Sequence, residues 1–296
     1  MRGITIKVDV DTLAGTEEGV PRLVSLFRRL EIPATFLFSL GPDHTGRAIR
    51  RVFRRGFLSK VRRTSVATHY GIRTLLYGTL LPGPDIGARC RSIMLSVANQ
   101  GFEVGVHAFD HVKWQDGVAH ASFEWTREQL ELAVERFEKI FGFLPAVHGA
   151  AGWQMNRHVP ALERQFGFDF ASDTRGREPF YPAGGGVLQI PTTLPTLDEL
   201  LGIHGATATE AIQKLVGLTR AELPRHHVLT VHAELEGRAY LAQFEELLAA
   251  WRMAGFQFRQ LGDAVRSLDS GAVPTCLIRD GVLDGRSGTL AIQAMS

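Results

Sequence analysis

The chain is poor in cysteine: Cys90 and Cys276 are its only two in 296 residues. They are far apart and sit in no metal-ligand spacing, which excludes a disulfide framework or a cysteine-built zinc site and suits a reducing compartment. Long apolar runs are also missing, and none reaches the roughly 18 residues that a membrane-spanning helix needs. Met1 and Arg2 lead directly into Ile4-Thr5-Ile6, without the apolar core and cleavage site of a secretory signal, so a cytoplasmic protein is expected. Charge of either sign is not in excess: 33 Lys and Arg stand against 31 Asp and Glu, a net charge of +2. Bulk charge therefore singles out no partner, and no low-complexity tract or repeat suggests disorder or a solenoid.

What is present is an alternation of two periods. Short β-branched or aromatic runs occur at Ile4 to Val8, Ala34 to Ser39, Glu103 to His107, Phe168 to Ser172, Val187 to Ile190, His227 to His232 and Phe256 to Phe258. Helical spacing fills much of the rest, at Val20 to Leu30, Ile86 to Asn99, Thr126 to Phe141, Arg157 to Phe166 and Tyr240 to Met253. Strand and helix in alternation predict an α/β fold, a parallel sheet open or closed into a barrel with helices outside.

Residues with chemistry in them fall where the runs end. Asp9 and Asp11 close the first, His107 the third, Asp173 the fourth, and His232 the run Val228-Leu229-Thr230-Val231. Parallel folds gather their ligands at the carboxyl ends of strands, so one site built from distant segments is expected. In a strand, residues two apart point the same way, so Asp9 and Asp11 would share a face. Two carboxylates so placed call for a cation or a shared proton. His107 and His111, four apart, can supply the rest of a His₂-carboxylate set with Asp11, leaving coordination positions for water. Asp9, off the metal, can then accept the water's proton. His232 is the candidate general acid that protonates an amide leaving group, with Asp173 to hold it as an imidazolium and Glu234 and Glu236 as nearby polar contacts. For each histidine the competing reading is a buried structural role.

One stretch departs from the alternation. From His44 to Pro84 no acid occurs, while Arg47, Arg50, Arg51, Arg54, Arg55, Lys60, Arg62, Arg63 and Arg73 all do. Phe53, Phe57 and Val61 recur every four residues beside this basic face, as in a helix lying on an anionic membrane. A helical excursion packed on the domain, or a nucleic-acid surface, would carry similar residues.

Together these residues resemble the polysaccharide deacetylase superfamily, metal-dependent amide hydrolases on a distorted (β/α) barrel. The resemblance rests on Asp9-x-Asp11, His107-x-x-x-His111, Gly149-Ala150-Ala151-Gly152-Trp153, Asp173 and His232. Longer blocks resemble, more narrowly, its deformylases of a formamido-arabinose carried on undecaprenyl phosphate. These are Asp9-Val-Asp11-Thr12, Gly15-Thr-x-Glu18-Gly19-Val-Pro21-Arg-Leu23, Gly41-Pro-Asp43, His107-Ala-x-Asp110-His111, Ala150-Ala-Gly-Trp153, Ser172-Asp173, Gln189-Ile-Pro191, Thr193-Leu-Pro-Thr196 and His232-Ala-Glu234-x-Glu236-Gly237.

The resemblance covers most of the chain and implies one catalytic domain over residues 1–296 with 44–84 as a membrane-facing insertion. It implies Asp9 as base, Asp11, His107 and His111 as ligands of one divalent ion (Zn, Co or Mn), and His232 as acid supported by Asp173. Ala151, through a backbone N–H, with Trp153 and Glu234, would contact the substrate. Arg50, Arg51, Arg54, Arg55, Phe53 and Phe57 would meet anionic lipid or the substrate's phosphate, and no nucleic acid is expected. The implied setting is peripheral on the inner face of a bacterial inner membrane, in lipid A modification linked to polymyxin resistance. A soluble N-deacetylase of the same superfamily, or a non-catalytic sugar- or lipid-binding barrel, are the competing readings. One departure stands out: where the superfamily has an arginine that orients the base, this chain has the run beginning at His148.

Overall fold

The computed structural model describes residues 2–48, 74–202, 207–221, 226–286 and 288–294. In chain order the strands are β1 (Gly3–Val10), β2 (Thr35–Ser39), β3 (Glu103–Ala108), β4 (Val147–His148), β5 (Phe170–Ala171), β6 (Tyr181–Pro182), β7 (Leu188–Gln189), β8 (His226–His232), β9 (Gln257–Arg259), β10 (Thr275–Gly281) and β11 (Leu290–Ala294). Seven of them form one sheet in the order β7-β5-β4-β3-β2-β1-β8, with β9 added against β1. Every pairing in that sheet is parallel. After β7 the chain reaches β8, where the backbone N–H groups of Thr193 and Leu194 donate to Val228 O at 3.1 and 3.2 Å. The sheet is thereby curled into the distorted (β/α) barrel that the alternation and the resemblance led one to expect.

Period-two alternation explains how each strand serves two layers. On β1, Ile4, Ile6, Val8 and Val10 pack outward into the main core with Phe27, Phe36, Phe38, Val106 and Val231. Its intervening residues, Thr5, Lys7 and Asp9, are just as buried but polar. A separate apolar cluster of Leu37, Val147, Phe170, Leu188, Ile190, Val228 and Leu261 draws on the alternate residues of β2 and β8. The inner face of the barrel is thus apolar in part and charged toward the carboxyl end of β1, a pattern that carries a desolvation cost unless its charges are paired.

The helices follow their sequence signals closely. Val20–Arg29 starts with Pro21 in its first turn and buries Leu23, Val24, Leu26 and Phe27. Phe123–Phe141 begins three residues before the expected Thr126, because Ser122 accepts a hydrogen bond from Trp125 N at 3.2 Å. It ends at Gly142, whose φ of 81° a residue with a Cβ seldom adopts. The single helix expected from Ile86 to Asn99 is two, Ile86–Arg89 and Arg91–Asn99, interrupted at Cys90. Helices His111–Gly117, Leu197–Gly202, Ala208–Leu218 and Leu261–Arg266 carry no signal that the reading of periodicity used.

A second sheet, β11-β10-β6, was also not anticipated. β10 and β11 are an antiparallel hairpin, and β6 runs parallel to β10. Both cysteines are buried and free. Among the described residues no helix is long and apolar enough to cross a membrane. The six residues expected at a lipid surface, Arg50, Arg51, Phe53, Arg54, Arg55 and Phe57, lie outside the described residues, as does most of the basic stretch.

Candidate active site and metal centre

Parallel register brings the strand-end residues together. Asp9 on β1 is paired with His232 on β8 and with Leu37 on β2. On β3 the register slips: Phe38 faces Val106 and Ser39 faces Ala108, so His107 between them is an extra residue. Such a bulge re-aims a side chain. Helix His111–Gly117 follows at once, capped by Asp110, whose Oδ1 accepts from Lys113 N at 3.0 Å. Asp110 Oδ2 also lies 2.6 Å from His44 Nδ1, so the start of the basic stretch is tied to the loop that carries His111.

Asp11, His107 and His111 converge as expected. Asp11 Oδ1 lies 3.1 Å from His107 Nε2 and 3.5 Å from His111 Nε2. His107 Nδ1 is 2.6 Å from Gly149 O; a carbonyl can only accept, so Nδ1 carries a proton and Nε2 is the ring nitrogen turned toward Asp11. A carboxylate oxygen facing an imidazole lone pair is repulsive unless a proton or a metal ion lies between. Asp11 Oδ1 is moreover buried with no hydrogen-bond partner. The donor set thus fits a divalent cation, with Gly149 O supplying the orienting contact usual for a ligating histidine. Burial pushes the Asp11 carboxyl up, but the two histidines outweigh it and hold it far below the ordinary range. Burial moves the His111 imidazole the other way from its partner carboxylates and leaves it lowered.

Asp9 is placed differently. Its Oδ2 lies 3.5 Å from Nζ of Lys7, which is wholly buried, while its Oδ1 is buried with no hydrogen-bond partner. Lys7 Nζ also donates to Ser172 O at 3.1 Å and sits over the Trp153 ring at 5.3 Å. The two aspartates therefore share a face but not an environment.

His232 is found at this site, but its expected partner is not. Asp198 Oδ1 lies 3.7 Å from His232 Nδ1. Asp173 instead takes part in a buried knot: His148 Nδ1 lies 2.6 Å from Glu163 Oε1 and 3.1 Å from Asp173 Oδ1. Asp173 also accepts from Ala150 N at 2.7 Å and from Gln189 Nε2 at 2.8 Å. Asp173 is turned away from β8, onto His148 of β4, the backbone of Ala150 and Gln189 of β7. Two acids beside one imidazole raise His148 to about 10 against the opposing effect of burial. His232 is likewise raised, burial being outweighed by Asp198, Asp11 and Glu236.

Glu234 also differs from the expectation of a substrate contact. It is fully buried, and its Oε1 accepts from Asp11 N at 2.9 Å, Thr12 N at 2.8 Å and Thr12 Oγ1 at 2.9 Å. It fastens the backbone that carries Asp11. Burial, then the Asp11 charge, push its carboxyl up to about 8. A Cβ at Gly15 would come within 2.0 Å of Glu234 Oε1, which explains why glycine stands there. The two short π-helical turns Gly15–Gly19 and Leu235–Ala239 pack against each other around this contact.

A cavity of about 230 Å³ opens over the site, lined by Asp9, Asp11, His107, His111, Trp153 and His232 together with Thr45, Ala48, Gln115, Asp198 and Arg286. Ala151 is buried outside this lining, whereas Gly152 and Trp153 belong to it. Trp153 has a positive φ of 54°, a conformation that a non-glycine residue keeps only when its surroundings hold it. Arg286 covers its ring at 4.3 Å, and reaches Glu199 Oε1 through Nε at 2.8 Å and Asp198 Oδ2 through Nη2 at 3.4 Å. Lys7, Asp198 and Arg286 were not foreseen. The alternation that pairs Asp9 with Asp11 also reaches Lys7, and Asp198 stands two residues beyond the Thr193-Leu-Pro-Thr196 block. Arg286 has no local signal, since the β10–β11 hairpin alone delivers it.

No family model matches the chain. It is 34% identical over 293 residues to a protein from Shewanella sediminis named "probable 4-deoxy-4-formamido-L-arabinose-phosphoundecaprenol deformylase", with 98% of this chain and 94% of that one covered. A protein of the same name from Wigglesworthia glossinidia brevipalpis is 33% identical over 285 residues, covering 94% and 98%. Among solved structures, one from Mycobacterium smegmatis named for a polysaccharide deacetylase superposes with a TM-score of 0.64 at 20% identity, covering 95% and 96%. At that identity the likeness is one of fold.

Proposed function

Because this chain belongs to the family of the 4-deoxy-4-formamido-L-arabinose-phosphoundecaprenol deformylases, we propose that it hydrolyses the N-formyl group of that lipid-linked sugar, releasing formate and leaving a free amine. The observation that carries the reading is the convergence of Asp11, His107 and His111 on one carboxylate oxygen, with Asp9 and His232 lining the same cavity. These three would hold a divalent ion, which when bound supplies Lewis acidity to polarise an amide carbonyl and to acidify water. Asp9 takes a proton from the attacking water as the new C–O bond forms. His232, raised toward its charged form, gives a proton to the nitrogen as the C–N bond breaks; the protein's proton count is unchanged, and Asp9 returns its proton to solvent while His232 takes one up before the next turnover. Asp198, not Asp173, keeps the imidazole charged and turned.

Incubating the metal-loaded protein with formamido- and acetamido-sugars on a polyprenyl phosphate, and measuring formate and acetate, tests this. Formate release is expected; acetate as the main product would favour the deacetylase reading, and neither product on adding Zn²⁺, Co²⁺ or Mn²⁺ would sink both.

We place the protein on the cytoplasmic face of a membrane, reached through the basic stretch. In support, Thr45 and Ala48 at its start line the cavity, and at its far end Leu80 is 81% exposed. Flotation with anionic liposomes is expected to retain the protein at low salt and to release it at high salt, where the Debye length shrinks to about 3 Å. A protein that stays with the soluble fraction throughout would refute this placement.

A further inference from the structure

Lys7 is among the largest side chains in the molecule with no exposure at all. An ammonium in such a place costs several kcal/mol unless paired, and a leucine or methionine would fill the volume without that cost. The acceptors that the structure gives it are Ser172 O at 3.1 Å and Asp9 Oδ2 at 3.5 Å. The first is itself fixed: Ser172 N donates to His148 O at 2.8 Å and Ser172 Oγ to Ile190 O at 2.7 Å. On the third side, the Trp153 ring offers its face. Lys7 is thus anchored to the backbone just past β5, and its contacts with Asp9 and Trp153 lead toward the cavity.

We propose that Lys7, two residues upstream on the same strand, is the positioning residue of Asp9. By engaging Oδ2 it turns the carboxylate so that Oδ1, which has no hydrogen-bond partner, is left for the water. Oδ1 itself lies 4.0 Å from His107 Nδ1, beside the Asp11–His107–His111 cluster, so the Lys7 contact sets which oxygen of Asp9 faces that cluster. This rests on the deformylase reading for its kinetic consequence, but the charge pairing itself does not.

The test has two arms. In the first, Lys7→Met is expected to lower kcat about 10²-fold, the cost of misplacing a reacting group by about 1 Å. KM, bound metal and the absorption spectrum of the Co²⁺-substituted protein are expected to stay as in wild type, and Lys7→Arg is expected to recover most of kcat. Unchanged kcat in folded Lys7→Met overturns the proposal. In the second arm, melting temperatures are compared for Lys7→Met, Asp9→Asn and the double variant. Each single change strands a buried charge or dipole, so the double variant is expected to be more stable than the sum of the two losses; additivity overturns the proposal. Should Lys7→Met not fold, Lys7→Arg decides: kcat within about tenfold of wild type supports the role, and a loss beyond about 10²-fold with metal retained overturns it. The melting arm needs no substrate, so a wild-type protein without hydrolytic activity would refute the deformylase reading and leave the Lys7–Asp9 pairing separately testable.

Discussion

Asp9 and Asp11 show how far two copies of one side chain can diverge over two residues. Asp9 lies in β1 and Asp11 just past its end, yet the nearest charged partner of the first is the buried Lys7 at 3.5 Å, with His107 at 4.0 Å, and those of the second are two imidazoles. Their replacement should separate accordingly. Asp9→Asn is expected to keep the metal, measured by elemental analysis, and to lose turnover by about 10²- to 10⁴-fold, the usual worth of a general base. His107→Ala is expected to lose both, because it removes a donor and the Gly149 contact at once. Near-normal hydrolysis in Asp9→Asn would mean that another group takes the proton.

Elements bring these residues into reach by departing from regularity. The register slip at His107 turns a strand residue toward Asp11, and the paired π-helical turns let Glu234 approach the backbone of Asp11 and Thr12. The β10–β11 hairpin has the longest reach, carrying Arg286 from the second sheet to the cavity wall. Arg286→Ala is expected to raise KM, since a wall of the cavity is lost, and to cost about 2 kcal/mol of stability by denaturant titration, a charged hydrogen bond's worth. The hairpin itself should persist, because Arg175 N donates to Ala291 O at 2.9 Å and Gln293 N to Arg175 O at 2.8 Å. An unaltered KM would show that Arg286 only braces Asp198 and Glu199.

Across the whole molecule the His148–Glu163–Asp173 knot joins β4, the helix Val159–Phe166 and the end of β5, and through Ala150 it steadies the loop whose Gly149 orients His107. His148 is raised to about 10, and Glu163 is raised as well, burial being its largest cause. Both groups bind a proton more tightly folded than unfolded. The His148 contribution is therefore complete below its ordinary value of 6.5 and is lost as pH climbs toward 10, whereas that of Glu163 is complete only below its ordinary 4.5 and declines above it. Asp173 is held well below its ordinary 3.8, burial being outweighed by His148, so its contribution is lost on the acid side. The melting temperature is expected to fall between pH 6.5 and 10, and to fall less steeply in His148→Gln; equal slopes would refute the assignment.

The sequence by itself determined a parallel sheet with helices outside, the order of most strands and helices, and the convergence of Asp9, Asp11, His107, His111 and His232, because these follow from local periodicity and from the rule that parallel strands gather their ends; closure into a barrel was implied by the family resemblance alone. It also contained Lys7 in plain alternation with the aspartates, although a lone lysine in a strand declares nothing until its burial is known. Tertiary structure alone decided the pairings. Whether His232 meets Asp173 or Asp198 depends on which strands Asp173 is turned onto, whether Glu234 faces substrate or backbone depends on the turn it packs against, and Arg286 arrives from a second sheet. The physical reason is one of range: alternation and helical spacing act between neighbours in the chain, whereas the partner of a buried charge is chosen by strand order and register.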